Sequence, residues 1–171
     1  MKKNLLLNKY LDDLASSLPT PGGGSASALA GCLGTGLLCM VGLFSTGKKF
    51  KDTRSKTKKI LEDLENIRNN LKLLVFLDTE AYNLVVLARN LDNGVKIKAY
   101  EECVNISNII CQNCYNAIAL ARQLVKVSNF YLISDLEAGV YLLEAAFKSA
   151  NLFMKENNDA VSALRGKASG R

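Results

Sequence analysis

Residues 60–88 read ILEDLENIRNNLKLLVFLDTEAYNLVVLA, and their spacing decides the fold. Ile60, Leu64, Ile67, Leu71, Leu74, Asp78, Ala81, Val85 and Ala88 follow one another at alternating steps of four and three. That alternation lays one stripe along an α-helix. No Gly or Pro interrupts Asp52–Leu91, so the helix is expected to run unbroken for about 55 Å. Asp92-Asn93-Gly94 is expected to end it. Asp78 is the only charged residue on this seam. A carboxylate there is costly to desolvate. It either meets a partner on a neighbouring helix, faces solvent, or serves as an acid–base group whose pKa burial has raised.

The same pattern extends outward. Ala99, Cys103, Ile106, Ile110, Asn113, Ala117, Leu120 and Leu124 form the seam of a helix expected over Lys96–Lys126. A helix over Asn4–Ser17 carries Leu7, Leu11, Leu14 and Leu18 on one side and ends at Pro19 and Pro21. Another opens after Gly24 and closes at Ser45-Thr46-Gly47. The last starts at Ser134, where Ser134 and Glu137 have the spacing of a capping box, and continues to about Glu156. The expected fold is all-α: one bundle of five long helices over residues 1–160, pairing with a second copy as a homodimer, with a flexible basic tail over 161–171.

Composition narrows the chemistry. The chain has 171 residues, a formal charge of +6 and no histidine. Ser-His-Asp and Cys-His catalysis and histidine-containing zinc sites are therefore excluded. The five cysteines are odd in number and lie in apolar helical segments, as expected for reduced thiols of a cytoplasmic protein. Cys111 and Cys114 form a CxxC with no second pair or histidine to complete a ligand set, so no metal site is expected. Residues 14–47 carry no charge. Ala26–Phe44 is nearly long enough to cross a bilayer, but it is rich in Gly, Ala and Ser and reads as the central helix of a bundle rather than a membrane span.

Pro19-Thr20-Pro21-Gly22-Gly23-Gly24-Ser25 leads into that helix. Its glycines let the backbone bend sharply, and Ser25 reads as the N-cap. Amides at a helix N-terminus favour an anion. The loop matches neither G-x-x-x-x-G-K-[ST] nor G-x-G-x-x-G. Lys48, Lys49, Lys51, Arg54, Lys56, Lys58 and Lys59 make a basic run that reads as a solvated helix start or a funnel for anions. Nucleic acid is not expected, since Phe50 is the only aromatic nearby.

LDDLASSLPTPGGGSASALAGCLGTGLLCMVGLFSTGKKF, from Leu11 to Phe50, resembles the opening signature of the cyclodeaminase/cyclohydrolase family. DTEAY at Asp78–Tyr82 is similar to the family's D-x-x-A-[FY], and SDLEAG at Ser134–Gly139 to its SD-containing helix start. The resemblance implies a homodimeric enzyme of one-carbon tetrahydrofolates, with substrate in mono- or polyglutamylated form and no other cofactor. It implies Asp78 as the catalytic acid/base and a substrate site drawn from Pro21, Gly22, Gly23, Gly24, Ser25, Tyr82 and Asp135, with Lys48 and Lys49 meeting the glutamate tail. Methenyltetrahydrofolate cyclohydrolase is the first expectation, because no transferase domain accompanies these residues. Formimidoyltetrahydrofolate cyclodeaminase is the alternative. The family's Leu-Pro turn and following arginine are missing from NLDNGVKIKAYEECVN, and Lys155 replaces an asparagine after the retained Asn151. Those departures motivate a third expectation, a silent helical scaffold of the same fold.

Overall fold

The computed structural model describes residues 2–169, with side chains over 6–166. Five α-helices appear in order: α1 Lys2–Leu14, α2 Gly23–Phe44, α3 Arg54–Ala88, α4 Asn93–Leu124 and α5 Ile133–Ser169. Short 3₁₀ turns precede α3 (Lys48–Phe50) and α5 (Phe130–Leu132). No strand occurs among the described residues.

The apolar positions of the seams read from spacing are buried or packed against the core. On α3, Ile60, Leu64, Leu71, Leu74, Ala81, Val85 and Ala88 are core, with Ile67 packed against it. On α4, the buried seam residues include Asn113, whose amide donates to the Ile109 carbonyl one turn back (2.8 Å). Its polar end is thereby satisfied inside its own helix.

Helix α2 lies at the centre, packed on α3, α4 and α5. Its small residues allow this. A Cβ at Gly34 would stand 2.6 Å from the Gly139 carbonyl oxygen of α5, and one at Gly139 would stand 2.9 Å from the Gly34 carbonyl oxygen. The two backbones touch, so neither helix has room for a side chain. Gly34→Ala is expected to force them apart at a cost of about 1–3 kcal/mol. A thermal melt should show Tm lower by about 3–10 °C; an unchanged Tm would mean the crossing is looser than drawn.

Several boundaries differ from expectation, each for a local reason. Ser25 is not the N-cap of α2. Gly22 holds that position with no side chain to offer, and Ser25 sits in the first turn with its hydroxyl committed elsewhere. Asp92 does not close α3 so much as open α4, accepting a hydrogen bond from the Val95 amide (3.1 Å), so α4 begins at Asn93 rather than Lys96. Ser134 and Glu137 form no capping box, because the turn at Phe130–Leu132 already runs into α5 and Asn129 supplies the cap to the Tyr131 amide (3.2 Å). Helix α5 continues past Glu156 to Ser169, through most of the expected tail; residues 170–171 lie outside the described residues. The leucine stripe of α1 faces outward, with Leu7 55% and Leu11 49% exposed; α1 docks through Tyr10 instead.

Candidate active site

The turn after α1 brings the chain back against α3, where the Thr20 hydroxyl donates to the Asn83 side-chain oxygen (3.2 Å). Helix α2 then starts beside Asp78. The Ser25 hydroxyl donates to the Val75 carbonyl of α3 (2.8 Å), and Tyr10 of α1 donates to the Ser25 oxygen (2.9 Å). This buried relay fixes the first turn of α2 within one helical turn of Asp78.

Asp78 stands over the end of α2 that Gly22 leaves without a side-chain cap. Its carboxylate lies close enough to the Ser25 backbone amide for that amide to favour its charged form. A side chain from α3 thus faces the unpaired amides of α2 across the bundle. The approach requires glycine, because a Cβ at Gly24 would lie 2.6 Å from Asp78 Cγ. Burial pushes the Asp78 pKa above the usual carboxylate value, and the Ser25 amide only partly offsets this. Asp78 is therefore packed against the start of α2 and costly to ionise, the combination that an acid–base group needs.

A cleft of about 230 Å³ opens over this carboxylate. Pro19, Thr20, Gly22, Gly23 and Gly24 form one wall, Asp78 and Tyr82 of α3 another, with Cys103 from α4. Phe153, Glu156 and Asn157 of α5 close the far side. The Phe153 ring lies on the start of α2, where a Cβ at Gly23 would come 2.5 Å from Cε2. Burial pushes the Cys103 thiol up to about 11, with the Asp78 charge adding to the rise. Cys103 is thus a neutral, largely apolar neighbour that helps keep Asp78 dry.

The residues named from sequence separate into two groups. Gly22, Gly23, Gly24, Asp78 and Tyr82 meet in the cleft, with Ser25 behind it and Pro21 in the same turn but not lining it. Lys48 and Lys49 lie beyond the other end of the 22-residue α2, about 33 Å away along its axis. Asp135 lies 18 residues before Phe153 on α5, about 27 Å along that helix. Neither the lysines nor Asp135 reaches the Asp78 cleft of the same chain. Retained Asn151 lines a separate groove with Tyr115 and Phe147. Cys103, Phe153, Glu156 and Asn157 were missed. The last three stand at i, i+3 and i+4 and share one helix face, a spacing hidden by ending the helix near Glu156.

Among the described residues, no group of three or more His, Cys, Asp or Glu could hold a metal ion. All five cysteines are free thiols, and burial raises Cys39 and Cys114 to about 12.

The family model described as formiminotransferase-cyclodeaminase matches residues 6–165. The methenyltetrahydrofolate cyclohydrolase of Methylorubrum extorquens is 33% identical over 163 residues, which cover 89% of this chain and 78% of that protein. The formimidoyltransferase-cyclodeaminase of Gallus gallus is 29% identical over 82% of this chain, which spans only 28% of that protein. The crystal structure of formiminotetrahydrofolate cyclodeaminase from Thermotoga maritima shares the fold, with a TM-score of 0.87 at 24% identity, covering 94% of this chain and 83% of that one. With the family model matching nearly its whole length, the chain belongs to the formiminotransferase-cyclodeaminase family.

Proposed function

We propose that the chain is a methenyltetrahydrofolate cyclohydrolase, converting 5,10-methenyltetrahydrofolate and water to 10-formyltetrahydrofolate, with Asp78 as general acid and base. The observation that carries this reading is the carboxylate itself, set against the Gly24 backbone in a cleft walled by glycine. The methenyl carbon is an activated, cationic amidine carbon, so the protein needs chiefly to supply a proton acceptor and a shaped site. Water adds to that carbon as Asp78 takes its proton. The carbon–N5 bond then breaks as N5 receives that proton from the Asp78 carboxyl, the remaining hydroxyl proton leaves through the carboxylate to solvent as the C=O forms, and the formyl group stays on N10. No step of the scheme calls for a metal or further cofactor. The Gly23 and Gly24 amides, which have no intrahelical acceptor at the start of α2, can favour the oxygen that gains charge.

Cyclodeamination uses the same group in a related sequence. N10 adds to the formimidoyl carbon, Asp78 removes the N10 proton, and the departing ammonia receives one. An absorbance assay at the methenyl chromophore separates the two reactions. Loss of absorbance from methenyltetrahydrofolate supports the first, and its appearance from 5-formimidoyltetrahydrofolate supports the second. No change with either substrate leaves the silent scaffold.

The same reading places the enzyme in the cytoplasm, where its thiols stay reduced, and pairs it with a second copy. Exposed Leu7, Leu11 and Leu18 around α1 and exposed Leu84, Leu87 and Leu91 at the end of α3 support pairing. The mass in solution by light scattering tests this, and a monomer at assay concentration would remove it.

A further inference from the structure

The cleft over Asp78 has an electrostatic character that fixes which end of an elongated folate can enter it. Its lining includes two carboxylates, Asp78 and Glu156, and no lysine or arginine. The anionic glutamate tail would meet repulsion there and no cation to offset it. The volume also fits only part of such a ligand, since pockets that bury a whole drug-sized molecule run from about 300 Å³ upward. The pteridine head is the end that carries no anionic group, and its pyrimidine ring is flat. Its outer edge carries an N3–H and a 2-amino group side by side, with a carbonyl oxygen at C4.

Glu156 has the matching chemistry. Its side chain forms no ion pair among the described residues, although the chain is basic overall. A carboxylate accepts two parallel N–H donors. Asn157, the next residue along and in the same lining, carries an amide N–H₂ suited to the C4 oxygen. Phe153, one turn earlier on this face, offers a ring held rigidly on the first turn of α2. Three residues of α5 thus present an aromatic surface, a double acceptor and a donor on one side, with Asp78 across the cleft.

We propose that Glu156 holds the N3–H and 2-amino edge of the pteridine, with Phe153 against the ring, so that this turn of α5 selects the substrate and orients its one-carbon unit toward Asp78. The inference rests on the folate reading above. Glu156 is a positioning and specificity residue; the proton transfers remain with Asp78. Its exposure means that substitution leaves the core untouched.

The test is calorimetric titration of the full chain with 6-methyltetrahydropterin, with 5-formyltetrahydrofolate and with the 2-desamino form of the latter. Glu156→Gln is expected to weaken binding of the first two by about ten- to a hundredfold. It should also raise KM more than it lowers kcat. The wild-type protein should discriminate against the 2-desamino ligand, and Glu156→Gln should not, a coupling that a merely structural role would not produce. If the wild type binds the amino ligands and Glu156→Gln binds them equally well, or still discriminates, the assignment of Glu156 is overturned and the folate reading stands. If the wild type binds neither pteridine, both fall together.

Discussion

Asp78→Asn is expected to remove turnover, by about 10²–10⁴-fold from loss of the proton acceptor alone, while the protein stays folded and is no less stable at neutral pH. The two halves of this result have one cause. Burial raises the Asp78 pKa above 3.8 in the folded state, so the folded chain holds this proton more tightly than the unfolded chain does. The stability this gives is fully present below pH 3.8 and is lost as pH rises through the folded-state value. At pH 7 the desolvated charge is a liability, which asparagine removes with a side chain of the same size. The Tm difference between variant and wild type should therefore be zero or positive at pH 7 and shrink toward zero near pH 3.5. Proton abstraction needs the ionised form, so wild-type kcat/KM should rise with pH through the same raised pKa, and that limb should vanish in the variant. Full turnover by Asp78→Asn would sink its assigned role.

Gly24→Ala should lower kcat by about 10–100-fold, because productive geometry tolerates little displacement. Helix propensity points the other way, since alanine is favoured over glycine in a helix by about 1 kcal/mol. The new Cβ, however, would lie 2.6 Å from Asp78 Cγ and 2.8 Å from Oδ2, so the carboxylate must swing away from the Ser25 amide. Gly36→Ala in the same helix is the control. Nothing lies within 4 Å of its added Cβ, so propensity acts alone and Tm should hold or rise. Steady-state kinetics and a thermal melt on both variants separate contact from propensity. A fully active Gly24→Ala protein would show that Asp78 does not depend on this approach.

The helices were legible because an apolar stripe repeating every three or four residues has little choice but to be buried. Ile60 to Ala88 and Ala99 to Leu124 announce their inward faces. Asp78 was legible as an exception to that rule, and the glycine turn as backbone freed of side chains. Capping was harder, because a cap depends on which groups remain unpaired after packing. Ser25 has the right chemistry for an N-cap but gives its hydroxyl to Val75, and it is Asp78, 53 residues away in the chain, whose carboxylate stands beside its amide. Lys48 and Lys49 follow the glycine turn closely in sequence, yet the rigid rise of α2 carries them to the far end of the bundle.

The sequence by itself determined five helices, their buried stripes and one carboxylate that needed a reason to be there. Only the tertiary structure decided what surrounds that carboxylate. The antiparallel packing of α5 on α2 brings Phe153 onto Gly23 and Glu156 into the cleft, while removing Asp135. Helical periodicity specifies which side of a helix is buried, but the partner at each level follows from crossing points such as Gly34 on Gly139, set by side-chain volumes on both helices at once.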